Sequence, residues 1–252
     1  MFISEHFTFN GVYSKDMNVV IVTTDSDMFH DIGVEYVSDV EIETDVIDYN
    51  PYFTEKSSQP SDIELLLAFY NNNTSEGLSL DDVDIEEIYD WLITDDFSPF
   101  ISDDNAELIY YMKVINIKKV LTFDKKGYLS VTFKPYSKYV YKRETYEIKV
   151  TESTTLEVKN PSRVDFYPII KVTNNGDKTT INKINDMEIV GLANGETIII
   201  DNLMKLVQSE EGLNRFSCCN RCWIRLDKRE TNTLTLSGNC KIEIIAEFPL
   251  LR

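Results

Sequence analysis

The chain carries four cysteines, and three of them fall in the stretch Ser217-Cys218-Cys219-Asn220-Arg221-Cys222-Trp223. Cys219 and Cys222 have the C-x-x-C spacing that chelates zinc or forms a redox pair, and Cys240 could add a third thiolate. Structural zinc needs four Cys or His ligands, commonly as two close pairs, whereas Cys240 stands alone and both histidines, His6 and His30, are distant. Cys218 is a poor fourth ligand, because neighbours on a strand point to opposite faces. Zinc, a redox pair and a Cys222–Cys240 bridge all remain open, but ordinary thiols fit the spacing best and no metal site is assigned.

Other candidates are weaker. Asp and Glu total 43, so any two could be nominated as an acid/base pair and the nomination means nothing without a cleft. Neither histidine stands in a nucleophile-and-base arrangement, and both are read as packing or surface residues. The segment Asp25-Ser26-Asp27-Met28-Phe29-His30-Asp31 resembles a D-x-D calcium loop but lacks the glycine and terminal glutamate of an EF-hand. No phosphate-binding glycine loop, nucleophile elbow or H-E-x-x-H pair occurs. The expectation is a protein with no catalytic residues and no cofactor.

Lys134, Lys138, Lys142 and Arg143 interleave with Tyr139 and Tyr141, a pattern that can stack and neutralise single-stranded nucleic acid. The tyrosines alternate as on a strand, and a strand joining two parts of the chain is the preferred reading. Trp223 is read as a core residue, like most tryptophans with apolar neighbours.

The formal net charge is −18, unevenly spread. Residues 25–107 hold 24 acids and one base, whereas residues 108–252 hold 17 acids against 23 bases. An acidic N-terminal part repels nucleic acid and anionic membranes, and no nucleic-acid partner is expected. The split also fits subunits that meet through complementary patches. No run of about 18 apolar residues is present, so no membrane insertion is expected. The first ten residues lack the basic and apolar regions of a secretory signal, which leads us to expect a protein made and used in cytosol, or assembled there before release.

The elements that must position these residues are mostly strands. Thirteen Phe and 14 Tyr against two Trp favour sheet. Alternation from Phe7 to Val22 around Asn10-Gly11 predicts an opening hairpin. A strand is expected within Ile32–Ile47, with Val40 and Ile42 inward, then a loop over 48–61. Ser61-Asp62 before Ile63–Tyr70 predicts a short helix. A second helix is expected over Leu80–Thr94, with Ser79 and Asp82 as a capping box and Ile85, Ile88, Tyr89 and Leu92 on its buried face. Leu108–Phe123 and Tyr128–Phe133 predict a hairpin closed at Gly127. After Thr151, turns at Asn160-Pro161, Asn175-Gly176-Asp177 and Asn194-Gly195 separate short strands, with Trp223–Leu226, Thr233–Leu236 and Lys241–Phe248 as further strands of an antiparallel sandwich. The fold class is mainly β: an α+β N-terminal domain, residues 1–150, and a C-terminal β-sandwich, residues 151–252.

This order of elements resembles the distal tail protein (Dit) family of long-tailed bacteriophages. The resemblance rests on FTFNGVYSKDMNVVIV at the start, GYLSVTFKPYSKYVY, NPSRVDFYPIIKVT, GLANGETIIID and WIRLDKRETNTLTLSG. The chain departs from that family in reading Asp227-Lys228-Arg229-Glu230-Thr231-Asn232 where a Pro-Gly often precedes the Asn. Its acidic stretch, Leu78–Asp104, is also longer than is typical. The resemblance implies an N-terminal β-sandwich-like belt domain with a helix and hairpin, closing a six-subunit ring, and a galectin-like β-sandwich projecting outward. It implies a structural hub of the virion tail tip, partnered by its own copies, the tail tube protein, tail-tip or baseplate proteins and a receptor-binding protein. A carbohydrate-binding or host-adsorption module is the rival reading.

Overall fold

The structure is a computed structural model that describes residues 4–22, 61–70, 77, 82–122 and 126–251. The strand expected within 32–47, the loop over 48–61 up to Pro60, the Asp25–Asp31 segment and Ser79 of the capping box lie outside the described residues. The chain divides into two compact units, Met1–Val140 and Tyr141–Leu251.

The first unit contains β1 (Phe7–Phe9), β2 (Val12–Tyr13), β3 (Val19–Val22), β4 (Ile63–Phe69), α1 (Asp82–Leu92), β5 (Ser98–Ser102), β6 (Leu108–Leu121) and β7 (Gly127–Pro135). Its antiparallel order is β2-β1-β5-β6-β7-β4-β3. Asn10 (φ 49°) and Gly11 (φ 78°) both sit in the left-handed region, which makes the two-residue turn whose twist matches its flanking strands. At the β6–β7 hairpin, a Cβ on Gly127 would stand 2.0 Å from the Val120 carbonyl oxygen. Glycine is required there by contact with the opposite strand.

Ile63–Phe69 is a strand, not the predicted helix. Ile63, Leu65, Leu67 and Phe69 are buried while Glu64, Leu66 and Ala68 are not, a period of two that only a strand gives. The local helix signals are overridden because β3 and β7 pair with both edges of β4. The second helix forms as expected but shorter, and Trp91 rather than Tyr89 joins Ile85, Ile88 and Leu92 in the core. Trp91 stacks on Phe7 at 5.6 Å, and its Nε1 donates to the Phe9 carbonyl at 2.9 Å. Phe7 stacks in turn on Phe100 at 4.9 Å, and Phe133 meets Phe9 and Phe100 edge-on. One aromatic cluster therefore fastens α1 to the sheet.

The second unit contains most of β8 (Tyr139–Val150), then β9 (Thr154–Lys159), β10 (Ile169–Asn174), β11 (Asn182–Ile184), β12 (Met187–Ile189), β13 (Thr197–Asp201), β14 (Leu206–Ser209), β15 (Thr231–Ser237) and β16 (Cys240–Leu251). The order β14-β13-β10-β16-β8 forms one layer and β12-β11-β15-β9 the other. Alternate residues of both layers, among them Ile170, Val172, Ile198, Ile242 and Ile244 against Val158, Ile184, Leu234 and Leu236, bury one continuous core. That is a β-sandwich. Trp223–Leu226 is not the expected strand and makes only a bridge from Leu226 to Phe166. Its amides are claimed by side chains and turns instead: Ile224 N–H donates to Asn202 Oδ1 at 2.8 Å and Trp223 N–H to the Arg221 carbonyl at 3.1 Å.

Buried asparagines close the ends of the sandwich. Asn174, Asn182 and Asn202 are no more than 1% exposed. Asn174 Nδ2 reaches the carbonyls of Gly176, Asp177, Leu192 and Ala193 at 2.8–3.3 Å, and its Oδ1 accepts from Asn182 Nδ2 at 3.0 Å. Replacing Asn174 by Ala strands those carbonyls in the core and is expected to cost about 2–4 kcal/mol in denaturant unfolding. Asn194→Ala, which removes one exposed bond to the Asn175 carbonyl, is the control and should cost under about 1 kcal/mol.

Candidate assembly surface

Among the described residues, those singled out for chemistry are not brought together as a catalytic or metal centre. All four cysteines are free thiols, Cys218, Cys219 and Cys240 buried and Cys222 exposed, so neither the C-x-x-C pair nor Cys222 and Cys240 form a bridge. Among the described residues no group of three His, Cys, Asp or Glu side chains converges as metal ligands would. Burial pushes the Cys219 thiol up and the Cys240 thiol to about 11, which leaves both almost wholly protonated near neutrality.

His6 is a packing residue. Its Nδ1 lies 3.3 Å from Ser14 Oγ and its ring stacks with Tyr70 at 6.4 Å. Ser14 is fully buried, and its Oγ accepts the Phe7 amide at 3.1 Å. The hydroxyl of this Ser–His pair thus anchors the opening hairpin. Beside it, Tyr13 donates to Asp103 Oδ2 at 2.7 Å, and that carboxylate pushes the phenol up to about 12.

The basic and aromatic residues near 134–143 are engaged within the protein. Lys138 lies over the Tyr139 ring at 5.8 Å, Lys142 pairs with Glu144 at 3.2 Å, and Arg143 pairs with Glu247 across β8 and β16. They present no open row of stacking platforms. No helix among the described residues is long and apolar enough to cross a membrane.

Charge is what the surface does present, and the first unit carries all of the imbalance. Residues 82–107 contain ten acids and no base. Asp84, Glu86, Glu87 and Asp90 line the exposed face of α1, and Asp95, Asp96, Asp103 and Asp104 continue past it. Residues 108–140 contain seven lysines and one aspartate. Beyond the bulge at Val114/Asn116, β6 stays paired with β7 and exposes Ile115 and Val120 among Lys118, Lys119 and Lys126, with Lys119 Nζ over the Tyr89 ring of α1 at 5.3 Å. Residues 141–252 are balanced, with 16 bases and 16 acids. The basic excess read over 108–252 thus belongs entirely to the hairpin region of the first unit. An apolar, lysine-rich arm and an acidic helix face are complementary surfaces of the kind that dock. The sequence signal for them was the charge split; the exposed Ile115 and Val120 gave none.

Thiol accessibility checks the cysteine assignment. With a maleimide under native conditions Cys222 should react rapidly and the other three slowly, all four becoming available in denaturant. Equal native rates would contradict the burial pattern.

Two family models match the chain, one described as a phage tail protein N-terminal domain over residues 2–137 and one as a phage tail C-terminal domain over residues 137–246. The chain is 26% identical over 259 residues to the SPbeta prophage-derived uncharacterized protein YomH of Bacillus subtilis strain 168, covering 98% of both. Among solved structures, the Dit protein of phage SPP1, described as a paradigm of hub adsorption apparatus in phages infecting Gram-positive bacteria, aligns with a TM-score of 0.57 at 15% identity. That alignment covers 96% of this chain and 98% of the other. A chain of the phage P2 baseplate in its activated conformation with Ca aligns with a TM-score of 0.52 at 11% identity, over 96% and 97%. At these identities the structural likeness is one of fold. The mainly-β, two-unit chain belongs to the phage tail protein family whose N-terminal and C-terminal domains it matches in order, and it has the fold of the distal tail proteins.

Proposed function

We propose that the protein is a non-catalytic hub that closes into a homo-hexameric ring at the virion tail tip, joining the tail tube protein to tail-tip or baseplate proteins and, through them, to a receptor-binding protein. The observation that carries the reading is that a phage hub protein shares its fold over 96% of the chain. The surface supports it: the acidic face of α1 and the lysine-rich β6–β7 hairpin lie in the same unit, where Lys119 already sits over Tyr89 of α1, and the lysines left exposed can meet the acidic face of the next copy. Such a contact joins two different patches and forms a ring where the rotation between copies closes. The belt is made by the N-terminal domain, whose sheet and aromatic cluster hold both patches rigidly. Folding and assembly in the host cytoplasm fit a chain whose thiols are free.

Light scattering and negative-stain electron microscopy test the ring directly. A mass of about six copies of the 29.2 kDa chain and a ring with a central hole are expected, at high protein concentration or once a tail partner is added. A protein that stays monomeric under both conditions overturns the proposal.

The contact chemistry is tested by charge reversal. Lys118→Glu with Lys126→Glu should weaken self-association about tenfold or more, and raised salt should weaken the parent in the same direction. Adding Glu86→Lys and Glu87→Lys should restore part of the loss. Assembly indifferent to both charge and salt would remove the arm from the contact.

A further inference from the structure

The strand edges of the second unit are finished differently. β14 is closed by the segment that follows it: Ser209 N–H donates to the Leu213 carbonyl and Arg215 N–H to the Val207 carbonyl, both at 2.8 Å. β12 is closed by residues 218–220, with Val190 N–H on the Cys218 carbonyl at 2.9 Å and Asn220 N–H on the Glu188 carbonyl at 3.1 Å. β9 has no such cover. It is the outermost strand of its layer and, among the described residues, pairs with β15 alone. Thr155, Glu157 and Lys159 along it are exposed.

Two bonds fix which groups the bare edge presents. Asn160 N–H donates to the Glu230 carbonyl at 2.9 Å on the β15 side of β9, and Asn185 N–H donates to the Thr235 carbonyl at 2.7 Å on the β11 side of β15. Hydrogen-bonded positions alternate along an antiparallel strand. Leu156 and Val158 therefore bond inward to Leu234 and Asn232, whereas the N–H and C=O groups of Thr155, Glu157 and Lys159 point away from the sheet. Their side chains stand on the exposed face, and Val158 is fully buried on the other. A row of free backbone groups is a template for another strand, and proteins guard it with charge, bulges or proline. Charge of one sign repels a second copy in every register. β9 carries one acid and one base two residues apart, followed at once by Asn160-Pro161.

We infer that β9 pairs antiparallel with β9 of a second copy. The free backbone groups belong to positions 155, 157 and 159, so a pairing must set these positions against one another. Centring the two-fold axis on Glu157 or on Lys159 brings like charges face to face, and centring it on Leu156 sets Glu157 against Thr155 with no ion pair. Centring it on Val158 sets Glu157 against Lys159 of the second copy on both sides of the axis. Opposite charges across a strand pair stabilise it and like charges oppose it, so charge selects this register. Each Glu157–Lys159 pair also exchanges two backbone bonds, and Pro161, which has no N–H, ends the ladder beyond them. The contact uses the same patch on both copies and involves neither α1 nor the β6–β7 hairpin, so it goes beyond the ring. A strand edge this short buries less than the ~1,000 Å² of a stable interface, and the association is weak, with a dissociation constant of about 0.1–1 mM.

Amide hydrogen exchange of the full chain, compared at about 10 µM and about 1 mM, reads the contact residue by residue. The Glu157 and Lys159 amides should exchange several-fold more slowly at the higher concentration, while the Val158 amide, bonded to β15, is protected at both. Glu157→Pro removes a free-edge N–H without touching the β15 ladder and should abolish the concentration-dependent protection of Lys159. Glu157→Lys should weaken that protection at least threefold, and Glu157→Lys combined with Lys159→Glu, which rebuilds both ion pairs, should restore it. Exchange at Glu157 and Lys159 that ignores concentration overturns the inference. So does protection that survives Glu157→Pro, a double exchange of charge that restores nothing, or protection that appears only with a tail partner, which makes the occupant another protein. Ring formation is read separately, from mass and shape and from protection at α1 and the β6–β7 hairpin.

Discussion

Backbone amides and carbonyls that leave a sheet and stay buried must find partners, and in the second unit asparagine side chains provide them. A β-sandwich pairs its strands internally, but each crossing between layers carries polar groups past the end of an apolar core. An unpaired group there costs about 1–3 kcal/mol, so a unit with this many short crossings would not hold one conformation without local acceptors and donors. Asn160 bridges its loop by donating to Val164 and Leu226 carbonyls while accepting from Ser162. Asn174 and Asn182 tie three separate crossings into one knot, since Asn182 Oδ1 also takes the Asn239 amide. The asparagine amide suits this work because it donates and accepts at once, without the desolvation penalty of a charge. The crossings are thereby held in one arrangement.

The first unit solves its packing differently. Its sheet is wide and covered by one described helix, so the contact between them must be dense in apolar area. Phe7, Phe9, Phe100, Phe133 and Trp91 supply it, each ring meeting another at 4.9–5.8 Å. The consequence reaches the surface. A helix fastened by Ile85, Ile88, Trp91 and Leu92 must turn Asp84, Glu86, Glu87 and Asp90 to solvent, which fixes the acidic face in direction as well as in sign. Across the sheet, β6 outgrows its partner β5 and carries its lysines beyond the core. Like charges concentrated in one patch repel, so their retention is understandable if opposite charge neutralises them, in part within the copy, where Lys119 lies over Tyr89 of α1, and in part from another molecule.

How far the sequence reveals this varies with the range of the interaction. The opening hairpin was legible because Asn10-Gly11 dictates its own turn, and the β6–β7 hairpin because the alternating runs on either side frame its glycine. Ile63–Phe69 was misread because Leu65-Leu66-Leu67 is apolar at every position, so period two and period 3.6 fit equally, and only pairing on both edges by β3 and β7 decides. Trp223–Leu226 was misread for a related reason. Its apolar-polar alternation is real, yet Asn202, from another part of the chain, captures the Ile224 amide and the Arg221 carbonyl takes the Trp223 amide, so a neighbouring strand finds only Leu226 to pair with. The charge patches were half visible: sign and position along the chain were plain, whereas the exposure of Ile115 and Val120 depends on where the bulge sends the strand.

The open groove lined by Asn185, Asp186, Cys222, Trp223, Ile224, Arg225 and Asp227 was invisible in the sequence. Residues 185–186 and 222–227 meet because the Asn220 side chain ties the Asp186 carbonyl and the Glu188 amide to its own loop, beside backbone bonds from Asn220 to Glu188 and from Val190 to Cys218, links that no periodicity announces. Cysteine spacing drew attention to this very loop, but the thiols are incidental to it: Cys218 and Cys219 face the core, and Cys222 is left at the groove wall. What the C-x-x-C pattern marks is a compact turn held by asparagine and by Arg221 at positive φ, with the Arg221 guanidinium over the Phe216 ring at 4.6 Å. Phe216 in turn tilts against Trp223 at 6.0 Å, and both rings pack on the core of the second unit, so a spacing that looks like metal chemistry is the by-product of a turn that seats an aromatic pair on the sandwich.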